Sequence, residues 1–448
     1  MIGDHVLASA SMTAMPAHNL LLFLLQVGTL LLFAYALGRL ATRIRLPAIT
    51  GELCAGVLLG PTVLGNLAPS VSDWLLPAST SQFHLLDAVG QLGVILLVGI
   101  TGMEVDLQLV RRRTRTTSVI AASGLLLPLL LGGGLGMVLP DSFVPSSASR
   151  PVFAAFLGVA LCVSAIPVIA KTLADMNLTH RNVGQLTLAT AMVDDVVGWL
   201  LLSVVSAIAI SSQLDDVLWS FAGSVVVILA ALLLARPVIR RLMTQASRHP
   251  DGAHTIATTV IIMLLSAAAT QALHLEAMFG AFLAGVLIGA CSPESLRRLA
   301  PLRQVVLSVL APLFFATVGL RIDLSALHSP EVLGVALLVL VVAVAGKFGG
   351  VCLGARAGRL NRWETLAVGA GLNSRGVVQI VIATAGLRIG VLTPTFFTII
   401  VLVAVTTSVM AAPVIRFAMR HVEHVSEEEL RRADRTGTSI PETGVGGR

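Results

Sequence analysis

Charge is what this sequence has least of. Only 12% of its 448 residues are Asp, Glu, Lys or Arg, against roughly 25% in soluble domains. With 56% hydrophobic residues and a mean hydropathy of +0.90, that scarcity excludes a soluble globular enzyme. A chain of this length could not hide so much apolar surface in one core. Lysine is rarer still: Lys171 and Lys347 stand against 28 arginines. The four cysteines, Cys54, Cys162, Cys291 and Cys352, lie in apolar stretches without a CxxC pair or metal-ligand spacing, and read as small core residues. No Lys or Arg precedes the first apolar run, so a signal peptide's basic n-region is missing. There is no strand–GxGxxG–helix unit for a nucleotide, no GxGD and no TVGYG-like filter. None of the ten histidines falls mid-span.

What is present is a succession of apolar runs. At roughly 20 residues per crossing, the sequence predicts an all-α polytopic membrane protein. Its thirteen transmembrane helices are expected near 20–40, 47–67, 85–104, 116–139, 151–174, 183–211, 217–235, 255–272, 275–291, 304–320, 331–355, 364–387 and 393–415. The basic residues test that count. Twenty-five of the 30 follow odd-numbered spans, and only Arg150, Arg321 and Arg388 lie on the opposite side. Lys347 and Arg375 remain inside spans. Positive-inside asymmetry then places residues 1–19 outside and the polar tail, 416–448, in the cytoplasm of a cell bounded by this inner membrane. The net charge of +6 is therefore orientation information, and no nucleic-acid partner is expected. The tail, with Ser426-Glu427-Glu428-Glu429 and its glycine-rich end, is expected to be disordered.

Two pairs of segments repeat. Ala55-Gly56-Val57-Leu58-Leu59-Gly60 echoes Ala284-Gly285-Val286-Leu287-Ile288-Gly289. Gly102-Met103-Glu104-Val105-Asp106-Leu107 echoes Gly319-Leu320-Arg321-Ile322-Asp323-Leu324. The partners run in opposite directions across the membrane. That predicts inverted repeats, about 47–211 and 275–415 within a transmembrane domain of 20–415, the architecture of many secondary transporters.

Ionisable groups inside spans are expensive and mark function by default. The sixth span carries Asp194-Asp195 near mid-membrane, where neighbours point about 100° apart and do not share a partner. One is expected to face a fixed counter-ion and the other a water-filled cavity. A carboxylate in a cavity holds either a proton or a monovalent cation, so loading one expels the other. Lys347, flanked by Gly346, Gly349 and Gly350, is the natural partner of one aspartate. Ser164-Ala165-Ile166-Pro167 and Gly371-Leu372-Asn373-Ser374-Arg375-Gly376 interrupt two spans. Pro167 removes a backbone donor, while Ser164 and Asn373 can satisfy exposed backbone. Broken helices at matching positions of two halves point to a midplane binding site. Arg375 calls for an anion, with Glu52 and Glu104 both offered. Beyond the transported cation no metal is expected, nor any cofactor or enzymatic activity.

These passages together resemble the monovalent cation:proton antiporters of the second large group, which includes Kef-like, NapA-like and plant CHX-like proteins. The resemblance rests on Leu46 to Glu52, Gly60-Pro61, Ser164 to Val168 and Asp194-Asp195. Phe279 to Gly285, Pro312 to Leu324 and Asn373 to Gly376 complete it. It implies a NapA-like fold with two broken, crossing helices, and a homodimer whose core moves like an elevator against a scaffold. It implies that Asp195 carries ion or proton, and that Asp194 pairs with Lys347. The double aspartate goes with charge-moving exchange, whereas the Asn373-Ser374-Arg375 motif looks more CHX-like and leaves Na⁺, K⁺ or Li⁺ open. A gated cation efflux channel and an exporter of a larger cationic solute stand as alternatives.

Overall fold

The computed structural model describes residues 16–44, 46–76, 80–103, 114–210, 235–248, 252–273, 275–290 and 297–423. Glu104, all but the last residue of the span expected at 217–235, and the tail beyond Glu423 lie outside the described residues. Regular structure among the described residues is entirely helical, which is what hydrocarbon demands of a backbone it cannot hydrogen-bond. In chain order the main helices are α1 (Ala17–Arg43), α2 (Ala48–Leu67), α3 (Thr80–Met103), α4 (Thr114–Val138) and α5 (Arg150–Cys162), with a short helix Pro69–Leu75 between α2 and α3. There follow α6 (Ile166–Asp175), α7 (Asn182–Ile210), α8 (Arg236–Ala246), α9 (Ala253–Ala272) and α10 (Ala277–Gly289). The last are α11 (Ala300–Gly319), α12 (Pro330–Ala357), α13 (Arg362–Leu372), α14 (Val377–Arg388) and α15 (Pro394–Met419).

Among the described residues nine helices are long and apolar enough to cross a bilayer, ten if the bent pair α13 and α14 is one span. These ten coincide with ten expected positions. The span expected at 151–174 is instead two short helices, α5 and α6, and the one at 275–291 is the 13-residue α10. Leu24 and Leu32 of α1, Leu130 of α4, Leu265 of α9 and Val341 of α12 stand exposed on the outer surface, where a soluble protein would carry charge. The chain is a multi-pass membrane protein.

The helices sort into two groups. α1, α2, α3, α9, α10 and α11 pack mainly among themselves, as do α4 to α7 with α12 to α15, and contact between the groups is sparse. Glycine sets the closest crossings. A Cβ on Gly56 of α2 would lie 2.0 Å from the Ala316 carbonyl oxygen and 2.6 Å from Gly319 Cα on α11. α10 meets α3 in the same manner, with a Cβ on Gly285 falling 2.0 Å from the Gly99 carbonyl oxygen. Both obstacles are backbone, which cannot rotate aside. Gly56→Ala is therefore expected to destabilise the protein by about 1–3 kcal/mol, the range for overpacking. Gly28→Ala, with nothing within 4 Å of the new methyl, is expected to leave melting in detergent unchanged.

Candidate functional site

The second helix group is built around two breaks that satisfy each other. α5 stops at Cys162, Val163 is extended, and α6 restarts at Ile166. Pro167 is the second residue of α6, where its missing N–H costs nothing. α13 stops at Leu372 and α14 restarts at Val377, bent by 42°. Across this crossing the Ala165 N–H donates to the Ser374 carbonyl at 3.2 Å. The Ser164 hydroxyl lies 2.7 Å from the Leu372 carbonyl, an acceptor left open by the end of α13. Ser408 of α15 donates its hydroxyl to the Arg375 carbonyl.

Lys347 reaches this crossing from α12. Gly350 and Gly346 bring that helix onto α4: a Cβ on Gly350 would lie 2.3 Å from the Ser123 carbonyl oxygen. The Lys347 side chain is wholly buried and donates from Nζ to Asp194 Oδ2 and to the Cys162 carbonyl, both at 2.7 Å. That carbonyl ends α5, and the negative end of a helix favours a cation. Asp194 Oδ2 also lies 2.7 Å from Ser164 Oγ. A hydroxyl has one proton, so Ser164 serves either Asp194 or the Leu372 carbonyl at any instant. Ser164→Ala is expected to lower stability by about 1 kcal/mol, the net worth of a typical hydrogen bond, read as melting in detergent.

Asp195 is placed differently. It is fully buried, and neither oxygen has a hydrogen-bond partner of good geometry. The backbone N–H of Ile166, at the positive end of α6, is the group aimed at it. Further polar atoms beside the crossing also lack partners in the protein: Asn373 Oδ1, Ser374 Oγ and the Gln379 side-chain amide. Orphaned buried groups cost stability, and they are concentrated beside the crossing.

Arg375 departs from the sequence expectation. Its Nη2 donates to the Ala343 carbonyl of α12 at 3.0 Å, while Nε and Nη1 have no partner. Glu52 is not its counter-ion. That residue sits on α2, in the other helix group, half-buried on the wall of a cavity and facing Gly38 of α1. Glu104, the other acid offered, is outside the described residues. Sequence reasoning missed Gln379 and Ser408. Gln379 carried a readable signal, a lone amide in an apolar run.

The cavity, about 1310 Å³, is lined at its mouth by Thr42, Thr179, Arg303 and Arg416, the arginine-rich ends of the helices. Its floor includes Val168 and Val377, in the first turns after the two breaks. The cavity thus runs from arginine-bearing helix ends to the crossing, and Asp195 is not among the residues that line it.

Two broken helices that meet beside a paired and an unpaired carboxylate are the arrangement expected of an ion-coupled secondary transporter. The model of the transmembrane sodium/hydrogen exchanger family matches residues 28–421, and the chain belongs to this family of monovalent cation:proton antiporters, transporters rather than enzymes. It is 30% identical to the Na⁺/H⁺ antiporter NhaS4 of Synechocystis sp., over 90% of this chain and 98% of that protein. It is 29% identical to Cation/H⁺ antiporter 17 of Arabidopsis thaliana over 95% of this chain, and spans about half that relative's length, 51%. Its fold is similar to the sodium proton antiporter MjNhaP1 of Methanocaldococcus jannaschii, with a TM-score of 0.66 at 17% identity, covering 90% of this chain and 99% of that one.

Proposed function

We propose that the protein exchanges Na⁺, K⁺ or both for protons across the cytoplasmic membrane, with Asp195 as the carrier. The observation that carries this reading is the asymmetry of the aspartate pair: Asp194 is held by Lys347, whereas Asp195 has no fixed partner. A lone carboxylate is neutralised by a proton or by a cation, not by both at once. The names of the cyanobacterial and plant relatives support the same class.

The sparse packing between helix groups supports an elevator-like movement of the group bearing the crossing against the group of α1 to α3 and α9 to α11. The second of these is the dimer-forming scaffold in this reading. The crosswise glycine contacts support inverted repeats: exchanging the second span with the ninth and the third with the tenth turns the Gly56–Ala316 contact into that of Gly285 with Gly99. In this reading thirteen spans with the arginine-rich loops inside put the N-terminus outside and the C-terminus in the cytoplasm, so the cavity, whose lining includes Arg303 and Arg416, faces inward.

If two protons exchange for one cation, one net charge crosses per cycle. A potential of 100 mV then contributes about 2.3 kcal/mol, and one pH unit about 1.4 kcal/mol per proton. The test is reconstitution into vesicles holding a pH dye, with Li⁺, Na⁺, K⁺ and Rb⁺ titrated separately. Cation-dependent proton movement with saturation supports exchange. Voltage-driven cation flux without proton movement would instead establish the channel.

A further inference from the structure

Beyond Asp195, one face of α7 carries buried polar groups that the crossing does not use. Asp195, Trp199, Ser203 and Ser206 recur at intervals of four, four and three residues, which lines them along a single helical stripe. None is more than 2% exposed. Both oxygens of Asp195, Nε1 of Trp199 and the hydroxyls of Ser203 and Ser206 all lack a partner in the protein. Hydroxyls in helices commonly bond back to the carbonyl one turn earlier. Thr187 and Thr190, in the first half of the same helix, do so at 2.8 Å. Ser203 and Ser206 do not.

The stripe has a direction. α7 begins at Asn182, just after Thr179 in the cavity wall, so it runs from the cavity mouth toward the opposite face. At 1.5 Å per residue, Ser203 and Ser206 lie about 12 and 16 Å beyond Asp195 on the side away from the cavity. Trp199 stands between them and the aspartate. Its indole packs on Phe282 of α10, with ring centroids 6.2 Å apart and planes tilted by 35°. Trp199 belongs to one helix group and Phe282 to the other, so the two rings close a seam between bodies. A second contact on that side, Arg388 at the end of α14 with Glu276 before α10, spans 3.1 Å.

We propose that the Trp199–Ser203–Ser206 stripe is the second access route to Asp195, from the face opposite the cavity, and that the Trp199–Phe282 ring pair closes it in the state seen here. The inference rests on the antiporter reading, because an exchanger must expose one site to each face in turn. The chemistry divides the roles. Serine oxygens offer lone pairs to a monovalent cation or to its water, whereas an indole N–H only donates. Trp199 therefore does not ligate the cation; its ring is the plug, withdrawn from Phe282 when the two groups shift.

The test uses Ser203→Cys and Ser206→Cys, near-isosteric changes, with Leu201→Cys on the opposite side of α7 as reference. The purified full chain is reconstituted, and a charged, membrane-impermeant methanethiosulfonate is applied to each face in turn. Modification is read at each position by mass spectrometry, so the native cysteines stay in place. The expected result is labelling at 203 and 206, but not at 201, from the face opposite the arginine-rich one, with loss of exchange. Phe282→Ala is expected to speed that labelling. No labelling at either serine position, or equal labelling at 201, would overturn the route while exchange by the unsubstituted chain leaves the antiporter reading standing. Absence of exchange by the unsubstituted chain would instead remove the reading on which the route depends.

Discussion

Asp195→Asn is expected to abolish cation-dependent proton movement in reconstituted vesicles while leaving melting in detergent at or above the parent value. The two halves of that expectation have separate causes. An amide is close to isosteric with a carboxyl but neither binds nor releases a proton in the working range, so the coupled step is lost outright. Stability is spared because Asp195 has no side-chain partner to lose, the Ile166 N–H aimed at it can still be met by an amide oxygen, and removing an uncompensated buried charge relieves the fold. Exchange close to the parent rate in this variant would remove Asp195 from the mechanism. A variant that fails to fold would instead assign it a structural bond absent from this geometry.

Asp194 and Lys347 are expected to behave in the opposite way. Each is buried, and they meet at 2.7 Å. Asp194→Asn strands an ammonium, and Lys347→Ala strands a carboxylate together with the Cys162 carbonyl that Nζ also serves. Breaking a buried pair from one side typically costs about 3–5 kcal/mol, so both single variants should melt well below Asp195→Asn. The double variant is expected to regain part of the loss, because no charge is then unpaired. Recovery should be incomplete, since the Cys162 carbonyl still loses the Nζ donor. Strictly additive losses would show that the pair does not act as a unit. Persistent exchange in the double variant, without response to an imposed potential, would assign the net charge movement to Lys347.

How far the sequence disclosed this site depends on the kind of group involved. Asp194, Asp195 and Lys347 were legible because an ionisable side chain in an apolar run has a large cost and therefore needs a reason. Ser164 and Asn373 were legible through their neighbours, since proline and glycine in a span forecast unwound backbone. The partner of Arg375 was not. The guanidinium bonds the Ala343 carbonyl, and a backbone acceptor leaves no mark in the sequence, whereas the acids at 52 and 104 do. The Cys162 carbonyl beneath Lys347 escaped for the same reason. Trp199 carries no signal of its own in the sequence, because an aromatic in an apolar helix is uninformative without its neighbour, here Phe282. In the fold, the long helices were plain from hydropathy alone. The sequence showed α10 as a full span because composition fixes apolarity more firmly than helix ends.

The most direct test of the central claim is proton release on cation binding in weakly buffered detergent solution. If Asp195 alternates between a proton and a cation, adding Na⁺ or K⁺ to the purified parent should release protons in a saturable way. In the acid range where the carboxyl is mostly protonated, each further pH unit of acidification should raise the cation concentration needed by about tenfold, the linkage of one proton to one ion. Asp195→Asn should release none at any cation concentration. Equal proton release from the parent and from Asp195→Asn would contradict the account, because the exchanged proton would then reside elsewhere.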